Sequence, residues 1–150
     1  FGHMGVELDP VKETAEEQAG FAHFIKLHKQ LRPLLHSGKV VRIDHHDSAM
    51  MINGLIAEDK TEAVFLLSQL AMPTYSLSGS LRLPGLLADK NYSLTVLEKP
   101  ARFDGGVMKI QPEWLTQEQT VLSGEWLEKV GIALPVMDPE SAVLFQLKML

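Results

Sequence analysis

Met50–Leu67 reads MMINGLIAEDKTEAVFLL, two apolar runs separated by a charged turn, and this stretch decides the fold. Met50–Ile56 and Ala63–Leu67 are nearly all apolar and short, as expected of the strands of a central hairpin. Glu58-Asp59-Lys60 between them supplies turn residues, which predicts a central antiparallel hairpin. The same texture continues outward. Lys39–Asp44, Ala49–Ala57, Glu62–Leu70, Ser80–Leu83, Tyr92–Glu98 and Ser141–Leu150 are short and rich in Val, Ile and Leu. His46-Asp47-Ser48, Pro73, Pro84-Gly85, Asp89-Lys90-Asn91 and Asp104-Gly105-Gly106 punctuate them. Short strands at near-regular spacing predict a mainly β chain, an antiparallel β-sandwich of Greek-key type from Val40 onward. Leu81-Arg82-Leu83 and Leu94-Thr95-Val96 alternate cleanly, so these strands are expected to have one wet face. Leu115–Lys129 carries mixed signals and is read as loop and strand.

Upstream of the sandwich lies one long helix. Thr14-Ala15-Glu16-Glu17 is a capping box: the Thr14 hydroxyl accepts from the Glu17 amide, and the Glu17 carboxylate reaches back to the Thr14 amide. Phe21, Phe24, Ile25, His28, Leu31 and Leu35 then recur at helical spacing. Pro33 disfavours the α conformation at Arg32, and Ser37-Gly38 makes a break. The helix is expected over Thr14–Arg32, roughly five turns.

Composition narrows the function classes. The 150 residues are 45% apolar, enough for a packed core. A net charge of −5 argues against nucleic-acid partners, which select a basic surface. Scattered Lys and Arg form no polybasic membrane patch, and no apolar run approaches the about 18 residues of a membrane span. There is no cysteine, hence no disulfide, thiolate metal site or cysteine nucleophile, which fits a cytoplasmic setting. No secretory leader is expected. A sequence opening on Phe1 is read as a piece of a longer chain, with Gly2-His3-Met4 as native residues rather than a vector remnant.

Several residues invite a chemical reading. His45-His46-Asp47 has the residue types of a zinc site, but adjacent strand residues point to opposite faces, so a polar turn is expected and no metal is assigned. His23 and His28 are five apart, not the i,i+4 spacing of helical ligand pairs; His28 is expected to be a hydrogen-bonded packing residue. Ser78-Gly79-Ser80 lacks the G-x-S-x-G pattern of a nucleophile elbow. Trp114 and Trp126 are candidates for sugar stacking but are first expected in the core or at a domain interface. Asn91-Tyr92-Ser93 fits a glycosylation sequon, which carries no meaning in a cytoplasmic setting.

Gly124, Gly131, Leu134-Pro135 and Pro139-Glu140-Ser141-Ala142, within Val121–Leu150, form a closing pattern. Phe1–Pro10 (FGHMGVELDP) and Leu31–Gly38 (LRPLLHSG) precede it. In this order the three segments resemble the last third of glycoside hydrolase family 36, the bacterial α-galactosidases. The resemblance implies a division into residues 1–38, the terminal strand and helix of a (β/α)8 barrel, and residues 39–150, a C-terminal sandwich. It implies a parent that hydrolyses terminal α-galactosides such as raffinose or melibiose with retention and without a cofactor. Such an enzyme needs two carboxylates about 5–5.5 Å apart. In the family these are aspartates on earlier barrel strands, absent from this sequence. No residue here therefore inherits a catalytic, cofactor-binding or metal-binding role, and most of the 19 acidic residues are expected in solvated turns or on the helix's polar face. Glu7 and Asp9 are weighed separately: with Met4–Leu8 as a barrel strand they would lie towards its C-terminal end, near the substrate rim, while Asp9 reads equally as the residue that ends the strand before Pro10. The implied partners are the parent's own barrel, its galactoside substrate and a second copy of the chain. Two rival readings remain, a free-standing carbohydrate-binding module using Trp114 or Trp126 and an interaction domain unrelated to sugars.

Overall fold

Two strands with apolar side chains on both faces must be covered on both, and the architecture follows from that demand. The computed structural model describes Gly5, Glu7 and residues 9–76, 79–99 and 111–150. The expected central hairpin is present, with β2 (Met50–Ile56) antiparallel to β3 (Glu62–Gln69), from Ile56 opposite Ala63 to Met50 opposite Gln69. Its turn closes through Ala57 N–H to Glu62 O at 2.8 Å and Lys60 N–H to Ala57 O at 2.9 Å. The Asp59 carboxylate accepts from both the amide and the hydroxyl of Thr61.

β1 (Lys39–Ile43) flanks β2, and β8 (Ser141–Met149) flanks β3. β5 (Asn91–Glu98) then pairs with β8, and β6 (Thr120–Ser123) with β5. The six-stranded sheet is antiparallel throughout, in the order β1-β2-β3-β8-β5-β6. A two-residue pairing joins β4 (Ser80–Leu81) to β7 (Ile132–Ala133).

One face of the sheet presents Ile52, Phe65, Leu67, Tyr92, Leu94, Val143, Phe145 and Leu147. Against it pack Leu81 and Ile132 of the small ribbon, Leu83, Leu86, Trp114, Leu115, Leu127, Leu134 and Met137. The chain is thus mainly β as expected, but the described part of the second layer is built of the ribbon, short helices and extended segments. The opposite face presents Leu55, Val64 and Leu144, which are covered by α1 (Ala15–Ser37) through Leu27, Leu31, Leu34 and Leu35.

Three expectations need correction. The helix does not stop at Arg32; it carries Pro33 within it and ends at Ser37, capped by Gly38 N–H to Leu34 O at 2.8 Å. Leu34 is buried against Leu55 and Val64, so packing of the last turn outweighs the hydrogen bond that proline cannot donate. The buried stripe also shifts to Leu27, Leu31 and Leu34, leaving Phe24 48% exposed and Ile25 36% exposed. Finally, Leu115–Lys129 contains two short helices, α2 (Glu113–Thr116) and α3 (Gly124–Lys129), on either side of β6. α3 forms because the Ser123 hydroxyl accepts from the Trp126 amide, a cap hidden within an apolar stretch.

Candidate functional site

The loop from β1 to β2 gathers a polar cluster. Asp47 is buried there and accepts three hydrogen bonds: from Thr74 N–H at 2.7 Å, the Thr74 hydroxyl at 3.1 Å and Ala49 N–H at 3.0 Å. The loop is thereby tied to the segment after β3. The backbone donors hold the Asp47 carboxyl below its ordinary value of 3.8. Its own amide donates to His45 Nδ1 at 3.2 Å. The His45 and His46 rings lie 4.1 Å apart, and His46 lies 5.3 Å from Tyr75. The expectation that these adjacent histidines diverge fails because both lie beyond the end of β1, off the pleat, with His46 already in the bend. The polar turn itself is present. Among the described residues no three His, Asp or Glu side chains are grouped to hold a metal ion.

Beside this loop opens a hollow of about 550 Å³, lined in part by Arg42, Asp44, His45, Ser48, Met51 and Asn53. Arg42 and Asn53 are cross-strand partners in β1 and β2. Neither attracts notice in the sequence; the available signal is that each interrupts an otherwise apolar strand, and register brings the two interruptions together.

The other candidates disperse. His23 Nε2 contacts Glu98 Oε2 at 2.6 Å, linking α1 to the end of β5. His28 is half-buried with its Nε2 buried and without a hydrogen bond, contrary to expectation; its helical neighbours one turn away, Phe24, Ile25, Leu31 and Arg32, offer no side-chain acceptor. Trp114 is a core residue: its ring packs 5.3 Å from Phe145 and its Nε1–H donates to Ala133 O at 2.8 Å. Trp126 stays 49% exposed while its Nε1–H donates to Gly131 O at 3.0 Å. Glu7 and Asp9 are exposed, and the Asp9 carboxylate accepts from Val11 N–H at 3.2 Å. Gly5 and Glu7 belong to no strand, and Met4, Val6 and Leu8 of the expected strand lie outside the described residues, as do Ser78 and Asp104-Gly105-Gly106. Asn91 opens β5, where neighbouring Tyr92 is buried and its hydroxyl bridges Leu87 N–H and Lys60 O. No helix of the described residues is long and apolar enough to cross a membrane.

The residues of the closing pattern hold the second layer close. A Cβ added at Gly124 would lie 2.0 Å from Leu87 O, and one at Gly131 2.1 Å from Leu81 O. Gly131 also has a φ of +85°, a region L side chains rarely adopt. Glu140 has a φ of +59° and donates its amide to Gln69 O at 2.7 Å, turning the chain into β8.

Residues 47–147 match the model of the glycosyl hydrolase family 36 C-terminal domain. The chain belongs to this family. An Escherichia coli α-galactosidase is 45% identical over 152 aligned positions, covering 99% of the chain and 21% of that protein. Among solved structures, the α-galactosidase of Lactobacillus brevis superposes with a TM-score of 0.71 at 19% identity, covering 96% of this chain and 18% of that one. A family 36 α-galactosidase of Geobacillus stearothermophilus in complex with raffinose superposes with a TM-score of 0.69 at 22% identity, covering 93% and 17%. The chain thus spans about a fifth of the length of these relatives. In this family 36 C-terminal domain the glycines of the closing pattern are sites where one backbone touches another.

Two substitutions test these contacts. Ala in place of a helical Gly normally stabilises, yet Gly124→Ala is expected to lower stability by about 1–3 kcal/mol, because the Leu87 carbonyl must move; urea unfolding measures it. For Asp47, a lowered native pKa means stability that is present above about 3.8 and lost as pH falls through the native value. Asp47→Asn should therefore be less stable than the parent at neutral pH. The gap should narrow towards about pH 2 in thermal melts across the acid range.

Proposed function

We propose that this chain is the C-terminal accessory domain of a retaining α-galactosidase acting on terminal α-galactosides of the raffinose and melibiose type, without a cofactor. The observation that carries this reading is 45% identity to an α-galactosidase over 99% of the chain. Residues 1–38 would contribute the last strand and helix of the catalytic barrel, and residues 39–150 the sandwich that buttresses it. The catalytic aspartates then belong to parts of the enzyme outside this chain. Glu7 and Asp9, next to α1, would stand at the rim of that barrel.

The exposed Phe24 and Ile25 on α1 support a docking role for the helix. In the parent this face meets the barrel. In the isolated chain, apolar side chains left in water each forfeit about 1.5–3 kcal/mol, which favours pairing with a second copy. The setting of the enzyme is the cytoplasm, consistent with a chain free of cysteine.

The purified chain should not release nitrophenol from a nitrophenyl α-galactoside, since nucleophile and acid/base are elsewhere. Turnover that survives rigorous purification would place catalytic groups here and overturn the reading. Light scattering at micromolar concentration should report a dimer that Phe24→Glu converts to a monomer; a strict monomer for both would refute the pairing.

A further inference from the structure

We propose that the hollow formed by β1, β2 and the loop between them binds a neutral hexose unit. Its volume of about 550 Å³ falls in the range of small-molecule sites. Its chemistry is that of hydroxyl recognition. Arg42 contributes a fork of donors, Asp44 two acceptor oxygens, Asn53 one of each kind and Ser48 a hydroxyl. Adjacent sugar hydroxyls both donate and accept, so this mixture suits them. The opposed charges of Arg42 and Asp44 cancel in sum, so the pair favours neither an anion nor a cation. Neither side chain is engaged in an ion pair or hydrogen bond with other described residues.

The hollow also offers a less polar wall for a pyranose's C–H face. Met51 is 43% exposed beside Asn53, and the His45 ring is the first of a row of tilted rings that continues to His46 and Tyr75. The frame is held by the protein's own contacts. Arg42 and Asn53 sit on paired strands, and the buried Asp47 carboxylate pins the loop through Thr74 and Ala49. Such preorganisation lowers the entropic cost of binding. The site differs from the Trp platform considered from sequence, because Trp114 is buried and Trp126 lies on α3.

A galactoside as probe rests on the family reading; the site itself does not. Saturation-transfer NMR on the 150-residue chain should show transfer to the ring protons of methyl α-galactoside. Arg42→Ala and Asn53→Ala should each weaken binding about tenfold, as expected when one good polar contact is lost. Trp126→Phe should bind as the parent does. If either hollow variant fails to fold by circular dichroism, Asp44→Asn supplies the same readout. No transfer from the chain to either methyl α-galactoside or methyl α-glucoside up to about 100 mM would overturn the proposal. Binding that survives every hollow substitution would overturn it equally.

Discussion

Strand β3 is apolar on both faces, and the domain is organised by the need to cover both. Ala63, Phe65 and Leu67 point to one side and Val64 to the other, all fully buried. A sheet of this kind cannot stand with one wet face. The second layer covers the first side, and the last turns of α1 cover the other. This explains why α1 runs through Pro33. The burial of Leu31 and Leu34 against Leu55 and Val64 is a tertiary demand that local propensity cannot veto.

Covering the broader face with little chain requires close approach. Gly54 lies opposite Phe65, whose ring occupies the space a Cβ would take. Gly124 and Gly131 let α3 and its exit contact the backbones at Leu87 and Leu81. The pattern that marks the family in sequence is, in structure, a record of where two backbones have no room for a methyl group. Glu140 is the exception, a side chain carried at positive φ where its amide secures the start of β8.

The strands were legible because apolar runs and turn residues coincide: the six sheet segments expected from sequence match β1, β2, β3, β4, β5 and β8 within a few residues. α3 was not, since its evidence is a single serine cap inside a run that also suits a strand. The helix was legible at its start, where Thr14 and Glu17 form the capping box, and not at its end, which depends on the sheet. Family membership could be inferred from spaced Gly and Pro residues. The polar hollow could not: Arg42 and Asn53 are eleven positions apart, and only strand register makes them neighbours. His45 and His46 misled for a related reason, because the rule of opposite faces holds only while the pleat continues.

The position of β8 bears on how the molecule comes into being. This strand lies between β3 and β5, so it is the piece that joins the β1–β2–β3 meander to the β5–β6 pair. Glu62 meets Lys148 and Tyr92 meets Met149, contacts 86 and 57 positions apart in sequence. Until Ser141–Met149 is in place, β3 and β5 each keep an unpaired edge, and the contacts that close them are of long range, which slows folding. The sheet is completed from its middle, by the strand that arrives last.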